Sequence, residues 1–170
     1  GSIQVYYGNG RGKTTAALGL GIRAAGVGKQ VIMVQFLKKK HSDTLDFLKK
    51  LEPELQIFRF EKAACGYSDL SPKEKQEQML NIKNALGYSR KVLDTGQCDL
   101  LILDEIFGLV DYNIITIEEL MDLIAVKKDS MDLILTGRNL PEEVREIADC
   151  VYSIQREKEK TPEILAQGIS

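Results

Sequence analysis

Residues 8–15 read Gly-Asn-Gly-Arg-Gly-Lys-Thr-Thr, and these residue types in this order can bind phosphate. A polyphosphate offers many anionic oxygens and needs many short donors around it. Gly8, Gly10 and Gly12 remove the Cβ atoms that would block close approach or forbid a positive φ. Lys13 can carry a full positive charge to the phosphate oxygens, and the Thr14 hydroxyl can hold Mg²⁺. The usual phosphate loop places four residues between its first glycine and Gly-Lys-Thr. Here only Asn9, Gly10 and Arg11 separate Gly8 from Gly12, so the loop is one residue short.

A second candidate lies where the apolar run Leu100–Leu103 ends in Asp104-Glu105. A strand followed by an acid is the expected partner of a phosphate loop, because a divalent ion on a triphosphate needs a carboxylate nearby. Either Asp104 or Glu105 can be the direct metal ligand; the second acid of such a pair can also orient a water for hydrolysis. Two arginines follow the same logic. Arg23 lies further along the helix behind the loop and reaches phosphate only if its face turns inward. Arg138, in Thr136-Gly137-Arg138, sits just past a buried strand, where open α/β sheets bind their ligands and where a guanidinium can clamp phosphate bidentately.

The elements that must position these residues alternate. Strands are expected at Ile3 to Tyr7, Val31 to Phe36, Leu55 to Phe60, Leu100 to Leu103, Met131 to Leu135 and Val151 to Ile154. Helices are expected from about Lys13 to Ala25, Thr44 to Leu51, Ser71 to Gly96, Thr116 to Val126 and Pro141 to Ala148. Ser71, Pro72 and Glu74 make a capping box with proline in the first turn, and Gly96 is a natural stop. Thr116 and Glu119 repeat the capping pattern. Wholly apolar strands such as 100–103 are typical of parallel sheets covered on both faces. The fold class is therefore α/β, a mostly parallel sheet flanked by helices. Residues 1–170 read as a single P-loop nucleotide-binding domain, with Gly1-Ser2 as a scar of tag removal.

Apolar residues make up 44% and charged residues 28%, at a net charge of −2. That balance gives no electrostatic reason to expect nucleic acid or an acidic membrane as partner. Lys38-Lys39-Lys40 reads as a solvated loop, His41 as a polar loop residue, and 155–161 as charged surface. No apolar run has the ~20 residues of a membrane span. Cys65, Cys98 and Cys150 lack metal-ligand spacing and fit a reducing cytoplasm as core or loop residues.

The block GNGRGKTTAALGLGIRAAGVGKQVIMVQF resembles the opening of the ATP:corrinoid adenosyltransferases. The shortened loop, the stretch Arg23 to Lys29 and Val34-Gln35-Phe36 carry the likeness. LILDEI at 101–106, LTGRNLPEEVREIADCVY at 135–152 and Ala166 to Ile169 continue it. The resemblance implies a RecA-like P-loop fold with a five- or six-stranded parallel sheet, a homodimer, and a flavoprotein reductase as electron donor. It implies ATP with Mg²⁺, replaceable by Mn²⁺, and a corrinoid as substrate. The Co(I) of the corrinoid attacks the 5′ carbon of ATP and the whole triphosphate leaves, so the loop grips a leaving group. Gly8, Asn9, Gly10, Arg11, Gly12, Lys13, Thr14 and Thr15 would then contact ATP. Thr14 and Glu105 would bind the metal, while Arg23 and Arg138 assist at phosphate.

The family's Gly-Phe-Thr-Trp stretch, whose aromatics pack on the corrin, corresponds to Gly66-Tyr67-Ser68-Asp69 here. Tyr67 matches the phenylalanine, and Asp69 replaces the tryptophan in a chain with no Trp. Thr161-Pro162 stands where His-Pro is common. The competing readings are an ATPase or small-molecule kinase in which Glu105 positions water or a hydroxyl, and a nucleotide-binding module without catalysis.

Overall fold

The computed structural model describes residues 1–39, 43–62 and 69–160. Its strands are β1 (Ile3–Tyr7), β2 (Val31–Lys39), β3 (Leu55–Lys62), β4 (Leu100–Asp104), β5 (Asp132–Gly137) and β6 (Cys150–Ser153). The helices are α1 (Lys13–Gly26), α2 (Asp43–Leu48), α3 (Pro72–Thr95), α4 (Ile106–Asp111), α5 (Ile117–Ala125) and α6 (Glu142–Ile147). Among the described residues all six strands form one parallel sheet in the order β3-β2-β4-β5-β1-β6. The strand that feeds the phosphate loop and the strand that ends in the acids are thus not neighbours. β5 runs between them.

Helices cover both faces, as the apolar central strands require. On one face α1 lies close because its inward residues are small. Ala17 and Gly21 are buried among Met33, Leu55 and Ile102, and a Cβ on Gly21 would come within 3.0 Å of Ile102 Cδ1. The other face carries the larger cluster, in which Val34, Phe36, Leu101 and Leu103 meet Val92, Leu93, Phe107 and Leu120. Cys98 belongs to it, and burial pushes its thiol up to about 11. It is a packing residue, as its sequence setting suggested.

The caps explain the helix ends. Ser71 accepts from the Glu74 N–H at 3.2 Å, and Glu74 answers to the Ser71 N–H at 3.4 Å. Gly96 closes α3 at φ 67°. At α5 Thr116 accepts from the Glu119 N–H at 3.1 Å, while the Glu119 carboxylate turns to the Thr116 hydroxyl instead of completing the second box. One helix escaped the sequence reading. α4 has six residues, too few to show a period, and it starts from Glu105 in a left-handed conformation rather than from a capping side chain.

Parallel register sets residues of neighbouring strands side by side on one face. Arg59 pairs with Gln35, Gln35 with Asp104, Thr136 with Tyr6 and Tyr6 with Tyr152. Continuing the Leu103–Leu135 pairing places Asp104 beside Thr136. One residue from each strand thus forms a polar row on the α1 face, near the carboxyl ends of the strands. Among the described residues no helix is long and apolar enough to cross a membrane.

Candidate functional site

The phosphate loop leaves β1 at Tyr7 and is fixed from behind. Gly8 N donates to the carbonyls of Gly137 and Arg138 at 3.2 and 3.1 Å, and Gly10 N donates to Ile154 O at 2.9 Å. Two glycines owe their identity to this backing. A Cβ on Gly8 would sit 2.1 Å from Ile154 O, and one on Gly10 2.9 Å from the same atom. Gly12 faces open space and is needed for its φ of 107°. The close approach foreseen from the sequence at Gly8 and Gly10 is thus to the chain leaving β6. The Asn9 side chain serves the same end, its Oδ1 accepting from Arg156 N at 2.9 Å.

At the start of α1, Lys13 Nζ donates to Gly10 O at 2.8 Å and so folds over the loop. Thr14 Oγ1 donates to Asp104, 3.0 Å from each carboxylate oxygen. The hydroxyl of the loop and the acid of β4 therefore meet, although β5 separates their strands. β5 supplies the bridge through Thr136, whose Oγ1 donates to Asp104 Oδ1 at 2.7 Å and accepts from Glu105 N at 2.9 Å. Gln35 Nε2 donates to Asp104 Oδ2 at 3.3 Å. Asp104 and Thr136 are 0% exposed.

The two acids diverge. Asp104 stays on the sheet face among donors. Glu105 takes φ 64° and ψ 24°, a left-handed conformation that costs a non-glycine residue about 1–3 kcal/mol. The turn places Glu105 on the wall of a cleft of about 380 Å³, lined also by Gly8, Asn9, Lys13, Arg138 and Asn139. Gly108, Asp111 and Tyr112 of the α4 segment complete the wall. Asn139 Nδ2 donates to Asp111 Oδ2 at 3.0 Å and ties the β5 exit to the end of α4.

Of the residues expected at the site, Gly8, Asn9, Lys13, Glu105 and Arg138 line this cleft, and Thr14 and Asp104 lie beside them in direct contact. Arg11 and Thr15 are exposed on the loop and the first turn of α1. Arg23 is not brought to the cleft. It is exposed in the last turn of α1, roughly 15 Å along the helix axis from Lys13, and the inward positions belong to Ala17 and Gly21. Tyr67 lies outside the described residues, as do Gly66, Ser68, His41, Cys65, Thr161-Pro162 and Ala166 to Ile169. The sequence reading missed Gln35, Thr136, Asp111, Tyr112 and Asn139. Gln35, Thr136 and Asn139 stand in the quoted motifs, and their types and spacing alone assign none of them a task.

This geometry, a phosphate loop joined by Thr14 to an acid two strands away, is that of a RecA-like P-loop fold. The flagellar accessory protein FlaH from Methanocaldococcus jannaschii is similar in structure, with a TM-score of 0.58 at 17% identity, over 89% of this chain and 70% of its own. A likeness at that identity concerns the fold alone. In sequence, the family model described as ATP:corrinoid adenosyltransferase BtuR/CobO/CobP matches residues 1–169. This chain belongs to the ATP:corrinoid adenosyltransferase family. The corrinoid adenosyltransferase of Escherichia coli K12 is 30% identical over 91% of this chain and 76% of its own length. The corrinoid adenosyltransferase CobA of Salmonella typhimurium LT2 matches to the same extent. In the short loop Gly8 and Gly10 are packed against the β6 exit, and Thr14 at its end meets Asp104 of β4.

Thr136 is the bridge between the ends of β4 and β5 beside this cleft. Thr136→Val keeps the shape and removes the hydroxyl, leaving the Glu105 N–H without that acceptor and Asp104 without that donor. The expected cost is about 1–3 kcal/mol of stability, read from the denaturant midpoint. Adenosyl transfer should slow in parallel.

Proposed function

We propose that the cleft holds ATP by its triphosphate and presents the 5′ carbon to the Co(I) of a corrinoid. A Co–C bond forms, the C5′–O bond breaks, and triphosphate leaves with the electron pair. The observation that carries this reading is the joining of Thr14 to Asp104 beside a cleft that also gathers Lys13, Glu105 and Arg138.

The nucleophile belongs to the substrate, so no side chain has to be activated. The protein's task is to fix ATP and to stabilise charge on the departing triphosphate. The positive end of α1 faces the anion, while the amides of Gly8 and Gly10 stay with the carbonyls that back the loop. Lys13 exchanges the Gly10 carbonyl for phosphate oxygens, and Arg138 clamps from the β5 side.

The donor set fits Mg²⁺, or Mn²⁺ in its place. Asp104 is buried and occupied by Thr14, Thr136 and Gln35, whereas Glu105 stands on the cleft wall. Glu105 and the Thr14 hydroxyl are therefore assigned to the ion, with Asp104 holding Thr14 in place. Among the described residues no group of three His, Cys, Asp or Glu is gathered to hold a metal, so the remaining ligands would be triphosphate oxygens and water. When bound, the ion neutralises charge that accumulates on the leaving triphosphate.

In the same reading Tyr67 packs against the corrin, as the family resemblance implies. A homodimer in the cytoplasm, supplied with electrons by a flavoprotein reductase, completes it. The free thiols of Cys98 and Cys150 suit that compartment.

Incubation with ATP, Mg²⁺ and a reduced corrinoid should yield inorganic triphosphate and a light-sensitive Co–C bond in equal amounts. Orthophosphate released without corrinoid would identify an ATPase instead. Nucleotide binding with neither product would identify a binding module.

A further inference from the structure

We infer that Arg59 is a positioning residue for the metal–triphosphate site and acts on it through Gln35. The inference rests on the reading of the cleft as a Mg²⁺–ATP site. Arg59, Gln35 and Asp104 are direct register partners on β3, β2 and β4, so their side chains lie in line on one face of the sheet. Arg59 sends two donors to one atom: Nε and Nη2 lie 3.1 and 3.0 Å from Gln35 Oε1. Gln35 is 4% exposed, and its Nε2 lies 3.3 Å from Asp104 Oδ2.

A primary amide offers donors on one side and an acceptor on the other, and a guanidinium offers only donors. Arg59 therefore settles which way round the Gln35 amide sits. With Oε1 held by two charged hydrogen bonds, the NH₂ group must face the carboxylate. Without Arg59 the amide could turn over and set its oxygen against Asp104, replacing an attraction with a repulsion in a buried place. Asp104 in turn fixes the Thr14 hydroxyl. Arg59 belongs to the sheet's edge strand and is not among the residues lining the cleft, yet it sets the donor pattern around the acid.

The test is ATP affinity measured by calorimetry, once with Mg²⁺ and once with EDTA. The proteins compared are the wild type, Arg59→Met, Gln35→Leu and the double variant. Arg59→Met should lose about tenfold of the affinity gained from Mg²⁺, with the EDTA value changed by less than about twofold. A merely structural arginine would lower both values or neither. The double variant should be no weaker than Gln35→Leu alone, because Arg59 has nothing to act on once the amide is gone. Arg59→Lys keeps the charge but not the two-donor fork and should recover only part of the loss. If Arg59→Met fails to fold, Arg59→Lys carries the same comparison. An undiminished Mg²⁺ gain in the arginine variants, or losses that add in the double variant, would overturn the inference. No corrinoid is used. A chain that shows this Mg²⁺ coupling but transfers no adenosyl group would overturn the proposed reaction and leave Arg59's role standing. A wild type that gains nothing from Mg²⁺ would overturn both.

Discussion

Lys13→Ala should reduce adenosyl transfer by about 10²–10³-fold, the usual cost of removing a group that faces developing charge in a dry site. Lys13 Nζ already lies over the loop, 2.8 Å from Gly10 O, so it needs only to change acceptor when triphosphate enters. In the ground state ATP shares its charge with solvent and metal. As the C5′–O bond breaks, a further negative charge gathers on the leaving oxygen. The lysine's attraction is therefore stronger in the transition state than for bound ATP, and kcat should fall more than KM rises. The hydrogen bond to Gly10 O is half-buried and neutral on its acceptor side, so its loss should cost about 0.5–1.5 kcal/mol of stability. The measurement is the initial rate of Co–C bond formation at saturating ATP, beside a thermal melt. A folded variant with near-normal rates would remove Lys13 from the site.

What the sequence made legible follows from the range of the forces involved. The strand–glycine turn–helix around residues 3–26 rests on local rules of φ, capping and periodicity, and it formed where expected. The α3 cap at Ser71 and Glu74 and the stop at Gly96 are equally local. Asp104-Glu105 could be placed at a strand end, but not told apart. Their divergence comes from the left-handed turn at Glu105 and from Thr136, which is distant in sequence. The reason for Gly8 and Gly10 was half visible. A close approach was clear from the missing Cβ, but the partner is backbone from 154–155, brought in by the β1–β6 pairing. Arg23 misled because a helix carries a charge past a site as readily as into it. Which face turns inward was decided by the fit of Ala17 and Gly21 against the sheet. The Arg59–Gln35–Asp104 line is invisible until the register of three strands is known, since Arg59 and Gln35 alone are ordinary polar strand residues.

Glu105→Gln separates the two chemistries that an acid at this position can serve. As a metal ligand, Glu105 contributes a charge and an oxygen; glutamine keeps an oxygen and loses the charge. Transfer at low millimolar Mg²⁺ should then fall by roughly a hundredfold, equivalent to about 2.7 kcal/mol of lost charge–metal attraction. Because the deficit is one of occupancy, raising Mg²⁺ or substituting Mn²⁺ should restore much of the rate. As a general base positioning water or a hydroxyl, Glu105 would be needed for a proton that glutamine cannot accept at any metal concentration. No such proton exists when the attacking atom is reduced cobalt. Glu105 stands on the cleft wall, and its structural contact with Thr136 uses the backbone N–H, which the substitution leaves intact. The measurement is the rate of Co–C bond formation across a Mg²⁺ titration for wild type and variant. Convergence of the two curves at high metal assigns Glu105 to the ion. A deficit that stays constant across the titration would return it to the role of base and reopen the hydrolase reading.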